Sequence, residues 1–324
     1  MKTARFILLF FLLVVNAKAA FCWGFFGHRK INYQAVFLMP PELIVFYKKH
    51  QLFLQEHSTD PDKRRYALVE EAPRHYIDID FYGDYPFALL PRKWKDAVDC
   101  YTEDTLQAHG IAPWHISVML NRLTSSFMHK DLAGILKNSA EIGHYIADVH
   151  VPLHTSSNHN GQLTNQKGIH AFWESRIPEL LCDKEFDFFI GKANYISKPD
   201  GFVWATILES AKAADSVLRI ERALSEQFIE SSKYAFEDRN GKLTKQYSNA
   251  FTQTYNLKLN GMVERRMRQA IFAVACFWYT AWINAGQPNL NDFSESKLSE
   301  MKNEEWDWLN QFWKSGKPIL GREE

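Results

Sequence analysis

Between residues 144 and 174 the chain carries two histidine–acid pairs at one spacing, His144 with Asp148 and His170 with Glu174, and a further histidine, His154, between them. Residues four apart lie one above the other on a helix face, so each pair offers an imidazole nitrogen and a carboxylate oxygen to a single cation. A mixture of neutral nitrogen and hard oxygen ligands suits zinc. One such pair signifies little, because a helical histidine is ordinarily surface or satisfied core. Two pairs with His154 inside 31 residues point to a shared site for several metal ions.

The rest of the chain reads as a helical scaffold for that site. Segments near 31–56, 85–108, 113–150, 169–195, 203–237 and 250–285 place apolar residues at three- and four-residue spacing, with turn signals between them. Asp60-Pro61-Asp62 and residues 156–161 read as loops, and the best short strand candidate is Tyr76 to Tyr82. No internal repeat or low-complexity tract occurs. With 324 residues, 46% of them hydrophobic, the chain can bury a substantial core. From about Gly286 it turns polar, and Trp306, Trp308, Phe312 and Trp313 are expected to pack back as a short terminal element. The expected division is a leader over 1–22, one all-α domain over 23–290 and a C-terminal extension over 291–324.

Lys2 and Arg5 precede the apolar run Phe6 to Val15, followed by Asn16, Ala17, Lys18, Ala19 and Ala20. This order reads as a secretory signal peptide, too short to span a bilayer, and implies a secreted or periplasmic protein. No later stretch reaches spanning length without charges. Losing residues 1–22 takes Lys2, Arg5 and Lys18 from the 38 basic side chains and none of the 38 acidic ones, leaving a formal charge of −3. That balance excludes a general nucleic-acid coat protein, so a charged substrate would be held locally. The cysteines are Cys22, Cys100, Cys182 and Cys276. If Cys22 leaves with the leader an odd three remain, and no disulfide scaffold is implied. Cys22 as a lipoprotein anchor is the competing reading, which Phe21 fits poorly.

Ala20 and Cys22 are small residues at the −3 and −1 positions of a cut that leaves Trp23 first. A free α-amine and its own carbonyl form a five-membered chelate, and His28 adds a third ligand. By itself a tryptophan near a cleavage site is an ordinary core residue. Beside the downstream ligands, the chelate is the better reading.

With these motifs together, the chain from Trp23 to about residue 285 resembles the superfamily of zinc-dependent bacterial phospholipases C and the single-strand-specific extracellular zinc nucleases of fungi and plants. The resemblance implies an all-α, single-domain helical bundle with a trinuclear zinc cleft, about three zinc ions in all. It implies Trp23 and His28 as the chelate for one ion, with Asp148 bridging to its neighbour. His144, Asp148, His75 and an aspartate ahead of His75 would hold that neighbour. His154, His170 and Glu174 would hold the third, more exposed ion. Asp60 and Asp62 lie fifteen and thirteen residues before His75; we favour Asp60, because Asp-x-Asp-Lys resembles the phospholipase branch. Asp78, three residues after His75, resembles an acid bordering the nuclease site, and a supporting role beside a ligand histidine is an equal alternative.

Such a site implies phosphodiester hydrolysis, in which zinc lowers the pKa of bound water from about 16 to about 7. Asp148 would hold the paired ions and Asp78 would border the reaction. In the run Lys63-Arg64-Arg65 a phosphate contact, assigned to Arg64, competes with a plain solvated turn. The third ion has three protein ligands, whereas a structural zinc site is closed by four. The step from Trp23 to His28, and Trp173, resemble the nucleases; Glu174 and the sixteen residues from His154 to His170 resemble the phospholipases. The cysteine pairs of eukaryotic nucleases are absent. A nuclease for single-stranded nucleic acid or 3′-nucleotides is the favoured reading, a phospholipase C the alternative, and a non-catalytic zinc-retaining surface protein the third. The substrate is then nucleic acid or phospholipid, and no stable protein partner is implied. His50, His57, His109, His115 and His129 read as helix surface or ends. His150, six residues from His144, reads as facing away, and His159 as a residue of the cleft mouth.

Overall fold

The computed structural model describes residues 24–239, 241–290, 304–315 and 318–322. The protein is all-α apart from one two-stranded hairpin. Helix α1 (Gly24–Ala35) is followed by α2 (Pro41–Lys49), α3 (Gln51–His57) and the short α4 (Asp60–Arg64). Beyond an irregular stretch come α5 (Trp94–Tyr101), α6 (Glu103–His109), α7 (Ala112–Met128) and α8 (Leu132–Asp148). Then follow α9 (Ile169–Ala171), α10 (Ile177–Glu185), α11 (Pro199–Ser225), α12 (Glu230–Lys233), the strands β1 (Tyr234–Arg239) and β2 (Lys242–Tyr247), α13 (Asn249–Lys258), α14 (Met262–Asn284) and α15 (Glu304–Lys314).

Two helices form the centre because long stretches of each are shielded from solvent on all sides. From Ser139 to Asp148 every residue of α8 is buried, and α14 is apolar on nearly all sides from Ala270 to Ala281. A helix that is apolar all round belongs inside. The two pack against each other and against α7, and α1 lies across both. Tyr47 of α2 stacks on Trp278 of α14 at 4.7 Å, and Trp278 donates its indole N–H to the Ser139 carbonyl (2.9 Å).

Gly143 sets how closely α1 approaches α8. A Cβ at this position would meet Asn32 Oδ1 at 2.1 Å, and the Asn32 amide bonds the carbonyls of Leu54 and Ala140. Any side chain here would have to displace the Asn32 amide from its two carbonyl partners, where the helix carrying His28 meets the helix carrying His144 and Asp148.

Four expectations from the sequence need correction. Asp60-Pro61-Asp62 opens helix α4 rather than forming a loop. The helical pattern over 113–150 is two helices, broken at His129-Lys130-Asp131, where Lys130 takes a left-handed φ of 52°. Tyr76 to Tyr82 is not a strand: its backbone bonds the end of α6, the start of α7 and the turn carrying His154, and Ile79–Tyr82 closes a 3-10 turn. The strands lie instead over 234–247, overlapping only the end of the segment 203–237 whose period reads as helix. They pair antiparallel from Tyr234 opposite Tyr247 to Arg239 opposite Lys242. Arg176 holds this hairpin through Glu237 (2.9 and 2.5 Å) and Asn249 (2.7 Å). No described helix is long and apolar enough to cross a membrane. Cys100, Cys182 and Cys276 are free thiols.

Candidate metal centre

Helix α8 delivers His144 and Asp148 to one face, as their spacing requires, and both are fully buried. The two oxygens of Asp148 look in different directions. Oδ1 lies 3.3 Å from His28 Nε2, while Oδ2 lies 3.0 Å from His75 Nδ1 and 3.2 Å from His144 Nε2. His75 Nδ1 and His144 Nε2 are 3.0 Å apart, and Asp62 Oδ1 is 3.8 and 3.6 Å from them. Four ligands at about 2.1 Å around one tetrahedral ion would stand about 3.4 Å from one another. The observed separations bracket that value.

On the far side of His75 the third group assembles. His154 Nε2 and His170 Nε2 lie 3.4 and 3.0 Å from Glu174 Oε2. Glu174 sits in a π-helical turn, Phe172–Arg176, that interrupts the α9–α10 connection; such turns often occur at functional sites. Three buried groups can therefore hold metal ions: His28, His144 and Asp148; Asp62, His75 and His144; and His154, His170 and Glu174.

Backbone carbonyls fix several of the rings. His144 Nδ1 donates to the Ser58 carbonyl (2.8 Å), His154 Nδ1 to that of His75 (2.6 Å), and His170 Nδ1 to that of His159 (3.0 Å). Each bond leaves Nε2 as the lone-pair nitrogen aimed at its group, the usual support for a metal-binding imidazole. A cation fits the atoms left over. Asp62 Oδ1 and Oδ2, Asp148 Oδ1, His28 Nε2 and His154 Nε2 are buried and make no hydrogen bond among the described residues. Polar atoms left so inside a protein are destabilising unless something binds them.

The local field favours positive charge. Burial pushes the Asp148 carboxyl upward, but His144, His154 and His28 outweigh it and hold the group ionised, well below the usual carboxylate range. Burial pulls His75 down, yet Asp148 and Glu71 outweigh it and raise the imidazole to about 9. Burial and the neighbouring His144, whose ring stacks at 3.8 Å, lower His28, keeping it in the neutral form a metal needs.

The expected residues are brought together with exceptions. Asp62, not Asp60, faces His75 and His144. Asp60 instead bonds His57 Nδ1 (2.6 Å) and Lys63 (2.7 Å). Residues two apart on a helix point roughly oppositely, so only one acid of α4 can face the centre, and His57 is no free surface residue. Arg64 is not placed to meet a substrate. It is 8% exposed and binds Glu71 (3.2 Å), Glu141 (2.6 Å) and the Tyr145 hydroxyl (3.3 Å). Asp78 pairs with Arg322 and has His109 Nδ1 at 3.7 Å; it supports the His75 turn and is no ligand of the three groups. Trp23 lies outside the described residues. His115 is buried rather than surface, packing edge-on to Tyr145 at 4.5 Å, and His50 is 9% exposed. His150 does face away, bonded to the Ile146 carbonyl (2.7 Å).

Sequence reasoning missed Glu71. Its Oε1 lies 3.5 Å from His75 Nε2 and accepts from the Tyr145 hydroxyl, while Arg64 and Arg74 hold Oε2. Burial alone would raise this carboxyl, but His75, Arg64 and Arg74 keep it well below its ordinary range. It orients His75 from behind, and its position four residues before that histidine was the one signal in the sequence. No protein-family model matches the chain, and no curated protein sequence matches it.

Proposed function

We propose that this protein is a secreted, zinc-dependent phosphodiester hydrolase, cutting single-stranded nucleic acid or 3′-nucleotides. The observation that carries this reading is the arrangement of Asp148, whose two oxygens face separate ligand groups while a third group of three residues stands beside them. Zinc is the ion that best suits a set of imidazoles and carboxylates, and when bound it activates water and neutralises phosphoryl oxygens. Asp148 would help to hold the ions, with one carboxylate oxygen toward His28 and the other toward His75 and His144. Glu71 and the Ser58, His75 and His159 carbonyls hold the imidazoles in their binding tautomers. His154, His170 and Glu174 would hold a further ion, which would supply charge neutralisation for a phosphoryl oxygen.

Nucleic acid is favoured over phospholipid by one feature of the surface. Phe81, 49% exposed and three residues beyond Asp78, stacks on the His109 ring at 3.5 Å, a flat platform suited to an unpaired base. The phospholipase alternative draws on Glu174 and the interval from His154 to His170. Secretion rests on the leader-like sequence ahead of Trp23. The test is to assay the zinc-loaded mature protein side by side on single-stranded DNA, RNA, 3′-nucleotides and phosphatidylcholine. Turnover of the first three, abolished by chelator and by Asp148→Ala, is the expected result. Hydrolysis of phosphatidylcholine alone would establish the alternative, and zinc binding with no turnover on any substrate would overturn both.

A further inference from the structure

The turns carrying His75 and His154 lie against each other. The Ile77 N–H donates to the His154 carbonyl (2.9 Å), and the His154 ring to the carbonyl of His75 (2.6 Å). Where these turns meet, the structure places a side chain from the far end of the chain. Arg322 donates to Asp78 on the His75 side, and to the carbonyls of Leu153 (3.4 Å) and Ser156 (3.2 Å), which flank His154. Its guanidinium lies over the Tyr76 ring, 4.0 Å from the centroid, and the side chain is only 9% exposed.

The backbone around Arg322 is anchored as well. Its carbonyl accepts from Arg65 Nη2 (2.6 Å), and the Leu320 N–H donates to the Arg65 carbonyl (2.8 Å). Gly321 passes Ala72 so closely, with φ of 86°, that a Cβ would stand 2.6 Å from the alanine methyl. Residues 320–322 thus touch the neighbours of three candidate ligands, Asp62, His75 and His154, drawn from segments separated by up to 92 residues.

We propose that Arg322 is a positioning residue of the metal centre. It clamps the His154 turn to the His75 turn and so fixes the third ligand group relative to the pair that shares Asp148. The shape of a guanidinium fits this role, because one edge meets the carboxylate, the other meets two carbonyls, and the flat face lies on an aromatic ring. Lysine has neither the fork nor the plane. The inference rests on the reading of the three groups as metal sites, and not on the hydrolase reading.

The test measures zinc in the full mature chain, with no substrate present. Wild type, Arg322→Gln, Arg322→Lys and a chain ending at residue 317 are loaded with zinc and titrated with a competing chelating dye, and urea midpoints are recorded without metal. The expected result is that Arg322→Gln holds two ions as wild type does and releases the third about tenfold more readily, the scale of losing one support behind a metal ligand. The truncated chain should behave alike, and Arg322→Lys should fall between. Three ions held at wild-type strength by Arg322→Gln would overturn the inference. So would equal loosening of all three with a lowered urea midpoint, which marks general destabilisation. Fewer than three ions on the wild type would overturn the metal reading along with it.

Discussion

Asp148 Oδ1 and Oδ2 face different histidines, and no other described carboxylate near the centre divides its oxygens in this way. Asp148, together with His144, which belongs to both groups, therefore couples the His28 side of the centre to the His75 side, and the acids around them act through geometry. Asp60 and Asp62 show how fine that geometry is. Asp62→Ala should remove one zinc equivalent from the centre. Asp60→Ala should leave the metal content intact and lower stability by about 1–3 kcal/mol, since Lys63 would stay buried without its partner. Metal analysis and urea unfolding on both variants check the pair; the opposite pattern would return the ligand role to Asp60. His115, which belongs to none of the three groups, supplies a pH prediction. Burial and nearby Arg74 push its imidazole down to about 3, against 6.5 in an unfolded chain. Between these values the unfolded chain binds a proton that the folded protein refuses, so stability falls as pH drops below 6.5 and this loss ends near 3. From pH about 7.5 to about 5.5 the loss amounts to about 1.4 kcal/mol for one such group. His115→Phe should flatten the acid limb of stability by that amount in metal-free protein. Parallel limbs for variant and wild type would show that this imidazole does not stay neutral.

At the scale of elements, the site depends on how closely helices approach, and Gly143 is the tightest point. With Asn32 Oδ1 only 2.1 Å from a would-be Cβ, Gly143→Ala must displace the buried Asn32 amide that ties α1 to the Leu54 and Ala140 carbonyls. The expected cost is about 1–3 kcal/mol of stability, and zinc affinity should fall with it because α1 carries His28. An alanine variant with unchanged unfolding midpoint and metal content would contradict this packing. The ligands on one helix were legible from sequence because their geometry is local: His144 with Asp148 and His170 with Glu174 need only the helical repeat. Asp62 was not separable from Asp60, since choosing between them depends on the direction in which the five-residue α4 meets α8. Arg64 is a basic residue in a charged run whose partners, Glu141 and Tyr145, lie more than 70 positions away. The helical spacing over 203–237 takes in the first four residues of the hairpin over 234–247, which hides its start. Asn240-Gly241 between Arg239 and Lys242 was the turn signal that should have weighed more.

At the scale of the whole molecule, both ends of the described chain converge on the centre. Gly24, the first described residue, stands so near the π-helical turn that a Cβ there would lie 2.5 Å from Ser175 Oγ, next to Glu174. At the other end, Arg322 joins the His75 and His154 turns. Metal binding should therefore be linked to folding as a unit. Chelator should lower the thermal midpoint, and added zinc should raise it steadily with concentration, as any ligand of the native state alone must do. A midpoint indifferent to both would mean the three groups do not hold ions. The start of the mature chain gives the sharper form of this expectation. If the α-amine of Trp23 is a ligand, one extra residue ahead of it replaces an amine with a peptide nitrogen, which is a far poorer donor. A variant retaining one additional N-terminal residue should bind about one zinc fewer, and mass spectrometry of the exported protein should find Trp23 first. An extended chain with full zinc content would remove the α-amine from the ligand set. His28, His144 and Asp148 would then have to hold their ion alone.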